Sequence, residues 1–214
     1  MQSKLIVLEG IEAAGKGKAS IAIMNFLASK GQRVVHTREP GGTPYAEALR
    51  AVVTSKEYVT PGICEVMGFY GARCDHTQSL IIPSLENGSH VLSERYYASS
   101  FAYQKQTQTE LEAVHAICQP YLLEPDLVLF LDISPETSVK RMAEQRVAKG
   151  IALDKFELRG FEFMKQVREN YLRISRNETP ATHKRWCNID AEQPIEKVHQ
   201  DIFKILTEAL QLPA

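Results

Sequence analysis

The sequence predicts a three-layer α/β domain in which a five-stranded parallel sheet is flanked by helices. Four short runs are apolar almost without interruption, as strands buried on both faces of a parallel sheet are: 5–8, 33–37, 90–94 and 126–132. A weaker fifth run lies at 185–190. Because the segments between these runs show helical spacing, strands and helices alternate along the chain. This alternation indicates parallel strands joined by right-handed crossovers.

Helical spacing is clearest in three of the intervening segments. Their apolar residues recur at steps of three and four, as on one face of a helix: Ile21, Met24, Leu27 and Ala28; Val139, Met142 and Val147; Ile195, Val198, Ile202, Ile205 and Leu206. With 214 residues and no low-complexity linker, the chain is predicted to form a single domain over 1–214. The charged segment 146–160 is predicted to be either a surface loop or a lid, and the lid is placed at about 141–160.

Composition and charge exclude several classes of protein. Lys and Arg number 25 against 26 Asp and Glu, so the chain has no basic excess for binding nucleic acid. No window approaches the roughly 18 apolar residues of a membrane span. The first apolar run stops at Glu9, which predicts no signal peptide, and Cys64, Cys74, Cys118 and Cys187 form no CxxC pair. We therefore expect a cytoplasmic protein that binds neither nucleic acid nor membrane.

The first strand is followed by GIEAAGKG (10–17), which begins like a phosphate-binding loop. Free backbone N–H groups and the positive end of the following helix dipole attract phosphates there, and Lys16 reaches the terminal phosphates. We expect eight residues to bind ATP: Gly10, Ile11, Glu12, Ala13, Ala14, Gly15, Lys16 and Gly17. Gly17 stands where a Ser or Thr hydroxyl normally contacts Mg²⁺, and the nearest hydroxyl along the chain belongs to Ser20.

Three charged residues close to predicted strand ends indicate a second substrate. Glu12 would repel bound phosphates, which favours a role in accepting a hydrogen bond from a neutral hydroxyl over the alternative of a solvated loop charge. Arg38 and Arg95 directly follow the second and third strands. Because ligands bind beyond the carboxyl ends of parallel strands, these arginines are better placed for a ligand than for the fold.

Three further stretches carry a resemblance to a known family: TREPGGT (37–43), FYGAR (69–73) and ERYYASSFAY (94–103). Together with EGIEAAGKG, they resemble the thymidylate kinase family, whose members phosphorylate dTMP to dTDP with ATP. DLVLFLDISPETSVKR (126–141) resembles the fourth strand and following helix of the family, so the resemblance covers nearly the whole chain. It implies a P-loop kinase fold with a short lid, ATP as phosphoryl donor, Mg²⁺ and a homodimer.

The resemblance also implies seven dTMP-binding residues: Glu12, Arg38, Phe69, Arg73, Arg95, Ser100 and Tyr103. Glu12 would hold the 3′-hydroxyl of the sugar, and Tyr103 would pack against C2′ and exclude a ribose. Arg38 and Arg95 would bind the phosphate, which suits their guanidinium forks.

The remaining three implied residues concern the base. Phe69 would stack on the thymine ring, Arg73 would reach a base carbonyl oxygen, and Ser100 would lie near the base edge. Without the family match, ordinary core packing would be the favoured interpretation of Phe69 and of Tyr103.

Besides Gly17, the sequence departs from the family in two places. Glu94 stands where the family usually has an aspartate, and it is the predicted metal residue. A glycine-rich GGGR segment is replaced by QKQTQT, in which only Lys105 is basic. The phosphate loop lacks an arginine, so the lid is expected to supply the catalytic cation from this set: Arg141, Arg146, Lys149, Lys155 and Arg159.

The predicted catalytic residues are Lys16, Arg95, Arg146 and Lys155.

Two alternatives to a dTMP kinase remain at this point. The pair Glu94-Arg95 is also typical of deoxyribonucleoside kinases, in which the glutamate acts as a base on a 5′-hydroxyl. The departures at Gly17, at Glu94 and in the missing GGGR segment suggest instead a nucleotide-binding protein that has lost catalysis.

Overall fold

Five parallel strands form one sheet in the computed structural model, which describes residues 2–58, 61–104, 108–149 and 160–212, without the side chains of residues 108 and 145–149. The strands are β1 (Leu5–Glu9), β2 (Val34–Arg38), β3 (His90–Glu94), β4 (Leu127–Asp132) and β5 (Trp186–Asp190). Their order in the sheet is β2-β3-β1-β4-β5. The predicted fold class, including the weak fifth strand, is therefore confirmed. One hydrophobic core cluster packs around this sheet, and the single domain over 1–214 stays a prediction.

Nine α-helices connect and flank the strands in the described part of the chain. They are α1 (Lys16–Ser29), α2 (Pro44–Val53), α3 (Gly62–His76), α4 (Ile82–Glu86), α5 (Tyr97–Tyr103), α6 (Gln108–Cys118), α7 (Pro135–Lys149), α8 (Gly160–Ser175) and α9 (Ile195–Ala209). None of these described helices is long and apolar enough to cross a membrane. Of the predicted lid, residues 150–159 lie outside the described residues.

The join between α3 and α4 departs from regular helix. Residues Thr77–Ile81 form a π turn between them. Pro83 follows in the first turn of α4, where its missing N–H cannot continue the hydrogen-bond ladder of α3. His76, the last residue of α3, is thereby fully buried at the junction.

The strand register brings the ends of the central strands together. Leu8 of β1 lies opposite Glu94 of β3 and Leu129 of β4, and Arg38 of β2 also lies opposite Glu94. Since the strands are parallel, the residues that follow them meet at one edge of the sheet. The phosphate loop and both strand-end arginines are therefore neighbours.

Not every residue that marked a helix in the sequence faces the core. Ile21 lies in α1 as expected but is 62% exposed, and Val139 of α7 and Ile195 of α9 are each 38% exposed. Their helices bury other residues, such as Ile23 and Ile202. The spacing predicted the helices but did not predict which of these side chains are buried, and other residues of the same helices face the core.

Candidate active site

The phosphate loop runs from Gly10 to Gly15 between β1 and α1. Gly10 adopts a φ of 147°, and a Cβ built there would lie 2.7 Å from the carbonyl oxygen of Leu131 on β4. Only glycine fits this approach, because real Cβ atoms do not come so close to backbone. The hydroxyl of Ser138 on α7 donates to the carbonyl of Glu12 at 2.7 Å, which ties the loop to a second helix.

Lys16 folds back over the loop that precedes it. Its Nζ donates to the carbonyl oxygens of Gly10 and Ile11, each at 2.9 Å. Burial, followed by the nearby positive charge of Arg95, lowers the pKa of Lys16 to about 8, while the carboxylate of Glu12 acts in the opposite direction. A phosphate on this loop would bring the negative charge that favours the protonated lysine.

The residues around Gly17 include a hydroxyl close to Glu94. A Cβ built at Gly17 would meet no atom within 4 Å, so the position is open. One turn later, Ser20 Oγ lies 2.6 Å from Oε1 of Glu94, and His36 Nε2 lies 3.0 Å from the same oxygen. A carboxylate with an adjacent hydroxyl provides the hard oxygen donors that Mg²⁺ prefers, so Glu94 and Ser20 fit that ion.

Glu12, Arg95 and Tyr103 form one cluster on the floor of the site. Oε1 of Glu12 accepts from Nη2 of Arg95 at 2.6 Å and from the Tyr103 hydroxyl at 3.2 Å. The guanidinium of Arg95 lies over the Tyr103 ring, 4.9 Å from its centre. Burial alone raises the pKa of Glu12, but Arg95 and Lys16 outweigh it, so the pKa lies below its ordinary value. The carboxylate is therefore a charged acceptor.

Arg95 is fixed on its other edge as well. Its Nη1 donates to the carbonyl of Gly10 at 3.1 Å and lies 3.3 Å from the hydroxyls of Ser99 and Tyr171. Its backbone occupies the left-handed region, with φ 73°, which costs on the order of 1 kcal/mol for a residue other than glycine. Since the backbone N–H of Arg95 itself donates to the carbonyl of Leu8 at 2.8 Å, the strained turn is held by β1.

A buried carboxylate that the sequence did not indicate lies behind this arginine. Glu9 is fully buried and accepts from the backbone N–H of Tyr96, the hydroxyl of Ser99 and the hydroxyl of Tyr171, at 2.7–2.9 Å. Burial raises the pKa of Glu9, more than Arg95 and the hydrogen bonds lower it. Glu9 thus orients Ser99 and Tyr171, the two hydroxyls that contact Arg95.

The TREPGGT segment contributes Arg38, Glu39 and Pro40 to the site. Arg38 is half-exposed and pairs with Glu47 on α2 at 3.0 Å. Thr43 caps α2 by accepting from the N–H of Ala46 at 3.1 Å, with Pro44 in the first turn of that helix. The capped N-terminus of α2 therefore holds the TREPGGT segment in place.

Arg50 of α2 was not predicted from the sequence. Its Nη1 donates to the carbonyl of Pro40 at 2.7 Å, so the guanidinium contacts the TREPGGT segment. It does not follow a strand, so no strand-end pattern marks it.

Arg73 of α3 lies deep in the site. It is 2% exposed, and its Nε donates to Glu39 at 2.6 Å, while Nη1 donates to Ser100 Oγ at 3.1 Å. Its guanidinium also lies 4.7 Å from the ring centre of Tyr70. Burial lowers the pKa of Arg73, but Glu39 together with Tyr70 and Tyr96 outweighs burial and raises that pKa, so the guanidinium is a permanently charged donor.

A cavity of about 250 Å³ is lined by fifteen residues of this region. Nine of its lining residues were predicted from the sequence: Glu12, Lys16, Arg38, Phe69, Arg73, Glu94, Arg95, Ser100 and Tyr103. Six were not: Glu39, Pro40, Arg50, Thr54, Ser99 and Gln104. Gln104 directly follows Tyr103, and Glu39 and Pro40 belong to TREPGGT. Their closeness to these motifs in the sequence could have indicated that they line the site.

The candidates for the lid cation are described only in part. Nη2 of Arg141 donates to the carbonyl of Ala191 at 3.0 Å, so this arginine contacts the loop after β5. Lys105, Lys155 and Arg159 lie outside the described residues, and so do the side chains of Arg146 and Lys149.

The fold and the cavity together define a class of protein. A phosphate loop at the carboxyl edge of a parallel sheet provides backbone N–H groups that suit one phosphorylated ligand. Next to it, several buried or half-buried arginines surround space for a second anionic ligand. This arrangement is that of a P-loop phosphotransferase with a phosphorylated acceptor.

Comparisons with known proteins identify the family. A family model described as thymidylate kinase matches residues 8–202. A thymidylate kinase of Francisella tularensis subsp. tularensis is 36% identical over 211 residues, which cover 96% of each chain. A thymidylate kinase of Shewanella amazonensis is 37% identical over 213 residues, or 97% of each chain. The chain belongs to the thymidylate kinase family.

Proposed function

We propose that this cavity carries out the reaction of the family, the phosphorylation of dTMP to dTDP, by direct in-line transfer from ATP. The observation that carries the proposal is the continuity of one cavity from Lys16 of the phosphate loop to Arg73 at the far end, with Arg38 and Arg95 between them. A nucleoside monophosphate between these cations would have its phosphate beside the loop and its base at Arg73.

The acceptor side of the cavity supports a deoxyribonucleotide. Glu12 offers a charged acceptor for the 3′-hydroxyl, at the place where Arg95 offers donors to the phosphate. Tyr103 is held over that pair by its own hydroxyl, and its ring would fill the space of a 2′-hydroxyl. Phe69 lines the same cavity and would stack on the base.

Catalysis in such a site requires that the negative charge of the phosphates is neutralised and that the two substrates are aligned for in-line transfer. A phosphate monoester is already nucleophilic near neutral pH, so no side chain has to act as a general base. Lys16 and Arg95 would balance the charge that spreads over the transferring group. Arg146 and Lys155 are our candidates for the lid cation that completes this environment.

Three further parts of the proposal go beyond family membership. Mg²⁺ would be held near Glu94 and Ser20 and would supply charge neutralisation at the phosphates. The working form would be a homodimer, and the reaction would take place in the cytoplasm. Each of these is a prediction for solution experiments.

One coupled assay separates the proposed activity from its alternatives. The purified chain is given ATP and Mg²⁺ with dTMP, dUMP, thymidine or deoxycytidine in turn. Turnover with dTMP and none with the two nucleosides is the expected result. Turnover with nucleosides would instead identify a deoxyribonucleoside kinase, in which Glu94 acts as the base. Binding of dTMP and ATP without turnover would identify a homologue that has lost catalysis.

A further inference from the structure

A chain of four buried polar residues runs behind the cavity and ends at Arg73. We call it the Thr37 relay: Thr37, His76, Glu39 and Arg73. Thr37 Oγ1 lies 2.7 Å from Nε2 of His76, and Nδ1 of His76 lies 3.0 Å from Oε1 of Glu39. The other carboxylate oxygen of Glu39 accepts from Nε of Arg73 at 2.6 Å. All four residues are at most 7% exposed.

The chemistry of the relay fixes the imidazole of His76. A carboxylate paired with a guanidinium offers acceptors only, so Nδ1 of His76 carries a hydrogen and donates to Glu39. In the neutral ring, Nε2 then accepts from the hydroxyl of Thr37; in the charged ring, Nε2 donates to that oxygen. The same two contacts hold the ring in either state.

The relay fits beneath the TREPGGT turn because Gly42 has no side chain. A Cβ built at Gly42 would lie 2.5 Å from Oγ1 of Thr37 and 2.7 Å from Nε2 of His76. The φ of Gly42 is 91°, which any other residue adopts at a cost. The close approach of this turn thus seals the Thr37–His76 contact from solvent.

The relay determines which donors Arg73 presents to the cavity. A guanidinium has five N–H donors in a rigid fork. Glu39 takes the one on Nε, Ser100 takes one on Nη1, and the carbonyl of Tyr96 takes one on Nη2 at 3.3 Å. Among the described residues, no hydrogen-bond partner takes the remaining donor on Nη1 or the remaining donor on Nη2. Because the fork is rigid, holding the Nε edge fixes the direction of both.

We propose that Thr37 and His76 are positioning residues that set this orientation and thereby the choice of pyrimidine base. Because the Arg73 guanidinium offers donors and no acceptor, it favours a base that presents a carbonyl oxygen. It disfavours a base that presents an amino group at the same place. The inference rests on the proposed function, in which Arg73 faces the base. It assigns the selection of dTMP over dCMP to residues that touch neither nucleotide.

The test compares dTMP and dCMP in single-residue variants. Thr37→Val preserves shape and removes the hydroxyl, and it is expected to lower the dTMP-to-dCMP ratio of kcat/KM about fivefold, the effect of one hydrogen bond. His76→Leu cuts both contacts and is expected to lower the ratio about tenfold or more. His76→Asn returns a donor towards Glu39 and is expected to recover part of that loss.

A matched control separates positioning from folding. Thr77 is also fully buried, and its hydroxyl pairs with the hydroxyl of Tyr96 at 3.0 Å. Thr77→Val is expected to lower Tm much as Thr37→Val does while the wild-type nucleotide ratio is kept. If His76→Leu does not fold, Thr37→Val decides the question alone.

Binding calorimetry with dTMP and with dCMP keeps this inference separate from the proposed function. A wild-type chain without dTMP turnover would refute the proposed function, yet the ratio of the two Kd values would still test the relay. An unchanged Kd ratio in folded Thr37→Val overturns the inference, and so does a wild-type chain that binds both nucleotides equally. A ratio that falls in Thr37→Val and holds in Thr77→Val supports it.

Discussion

Arg95 and Glu12 form an ion pair inside the cavity, with Nη2 of the arginine 2.6 Å from Oε1 of the carboxylate. The two residues follow neighbouring strands: Arg95 comes directly after β3, and Glu12 lies in the phosphate loop after β1. Their pairing links the group proposed to bind the acceptor phosphate to the group proposed to bind the sugar. We therefore expect a change at either residue to affect both the sugar contact and the phosphate contact proposed for dTMP.

Replacing Arg95 by lysine tests the importance of the guanidinium fork. Lysine keeps the charge but cannot contact Glu12 and the Gly10 carbonyl with two edges at once. We expect Arg95→Lys to lower kcat/KM for dTMP by about two orders of magnitude. The exchange Arg185→Lys, at an exposed ion pair with Glu208, is the control and should leave kinetics unchanged. Wild-type kinetics in Arg95→Lys would refute the role.

Lys16 is expected to be essential for transfer and dispensable for folding. Lys16→Ala removes the ammonium that the loop carbonyls now hold, and steady-state turnover should fall about a thousandfold or more. Lys18→Ala, at an exposed position two residues later, should retain turnover. The circular dichroism and Tm of both variants should resemble the wild type. Normal turnover in Lys16→Ala would contradict the phosphate-loop assignment.

The lowered pKa of Lys16 predicts proton uptake when ATP binds. At about pH 8.5 a lysine with a pKa of about 8 is mostly neutral, and a polyphosphate beside it raises that pKa and favours protonation. Calorimetric titrations in buffers of different ionisation enthalpy should therefore show a fraction of a proton taken up per ATP. At pH 6.5 the lysine is already protonated, so its share of the uptake should vanish. Lys16→Ala should show no such pH-dependent difference.

Tyr171 is expected to act on dTMP through Arg95. Tyr171→Phe keeps the ring in the core but removes the hydroxyl that contacts Glu9, Ser99 and Arg95. We expect KM for dTMP to rise about fivefold and KM for ATP to stay the same.

The control for Tyr171 is a second buried tyrosine. Tyr97→Phe loses a hydrogen bond to the carbonyl of Thr182, away from the cavity. It should lower Tm by a similar amount with wild-type KM for both substrates. Equal kinetic effects of the two variants would show that the Tyr171 hydroxyl is merely structural.

Discrimination against ribose is expected to depend on the ring of Tyr103. Tyr103→Phe keeps the ring that lies over Arg95, so preference for dUMP over UMP should be largely retained. Tyr103→Ala opens the space beside C2′ and should reduce that preference about tenfold or more. The ratio of kcat/KM for the two nucleotides is the measurement. An alanine variant as strict as the wild type would remove Tyr103 from the sugar site.

The sequence predicted the sheet because its three central strands, β3, β1 and β4, are buried on both faces and leave a simple apolar signature. It also predicted Arg38 and Arg95, since residues at or just after the ends of parallel strands meet at one edge. Glu94 was predicted from its place in the family motif. The roles assigned to them remain predictions, whereas their shared cavity is a property of the structure.

What the sequence could not predict depends on contacts between distant segments. Arg50 reaches the cavity from a helix face, and nothing in its local pattern separates it from a solvated arginine. Glu9 looked like the polar end of a strand, yet it is fully buried by groups up to 162 positions away in the chain. His76 is likewise ordinary in the sequence, because its partners Thr37 and Glu39 lie almost 40 residues earlier.

The open space at position 17 makes this loop convenient to redesign. A threonine there would meet no neighbouring atom through its Cβ, and glycine inside a helix is less stable than most replacements by up to about 1 kcal/mol. The hydroxyl absent from this phosphate loop can therefore be installed without rebuilding its surroundings. Such a chain would carry two hydroxyls on successive turns of α1, at positions 17 and 20, and would show how far one can stand in for the other.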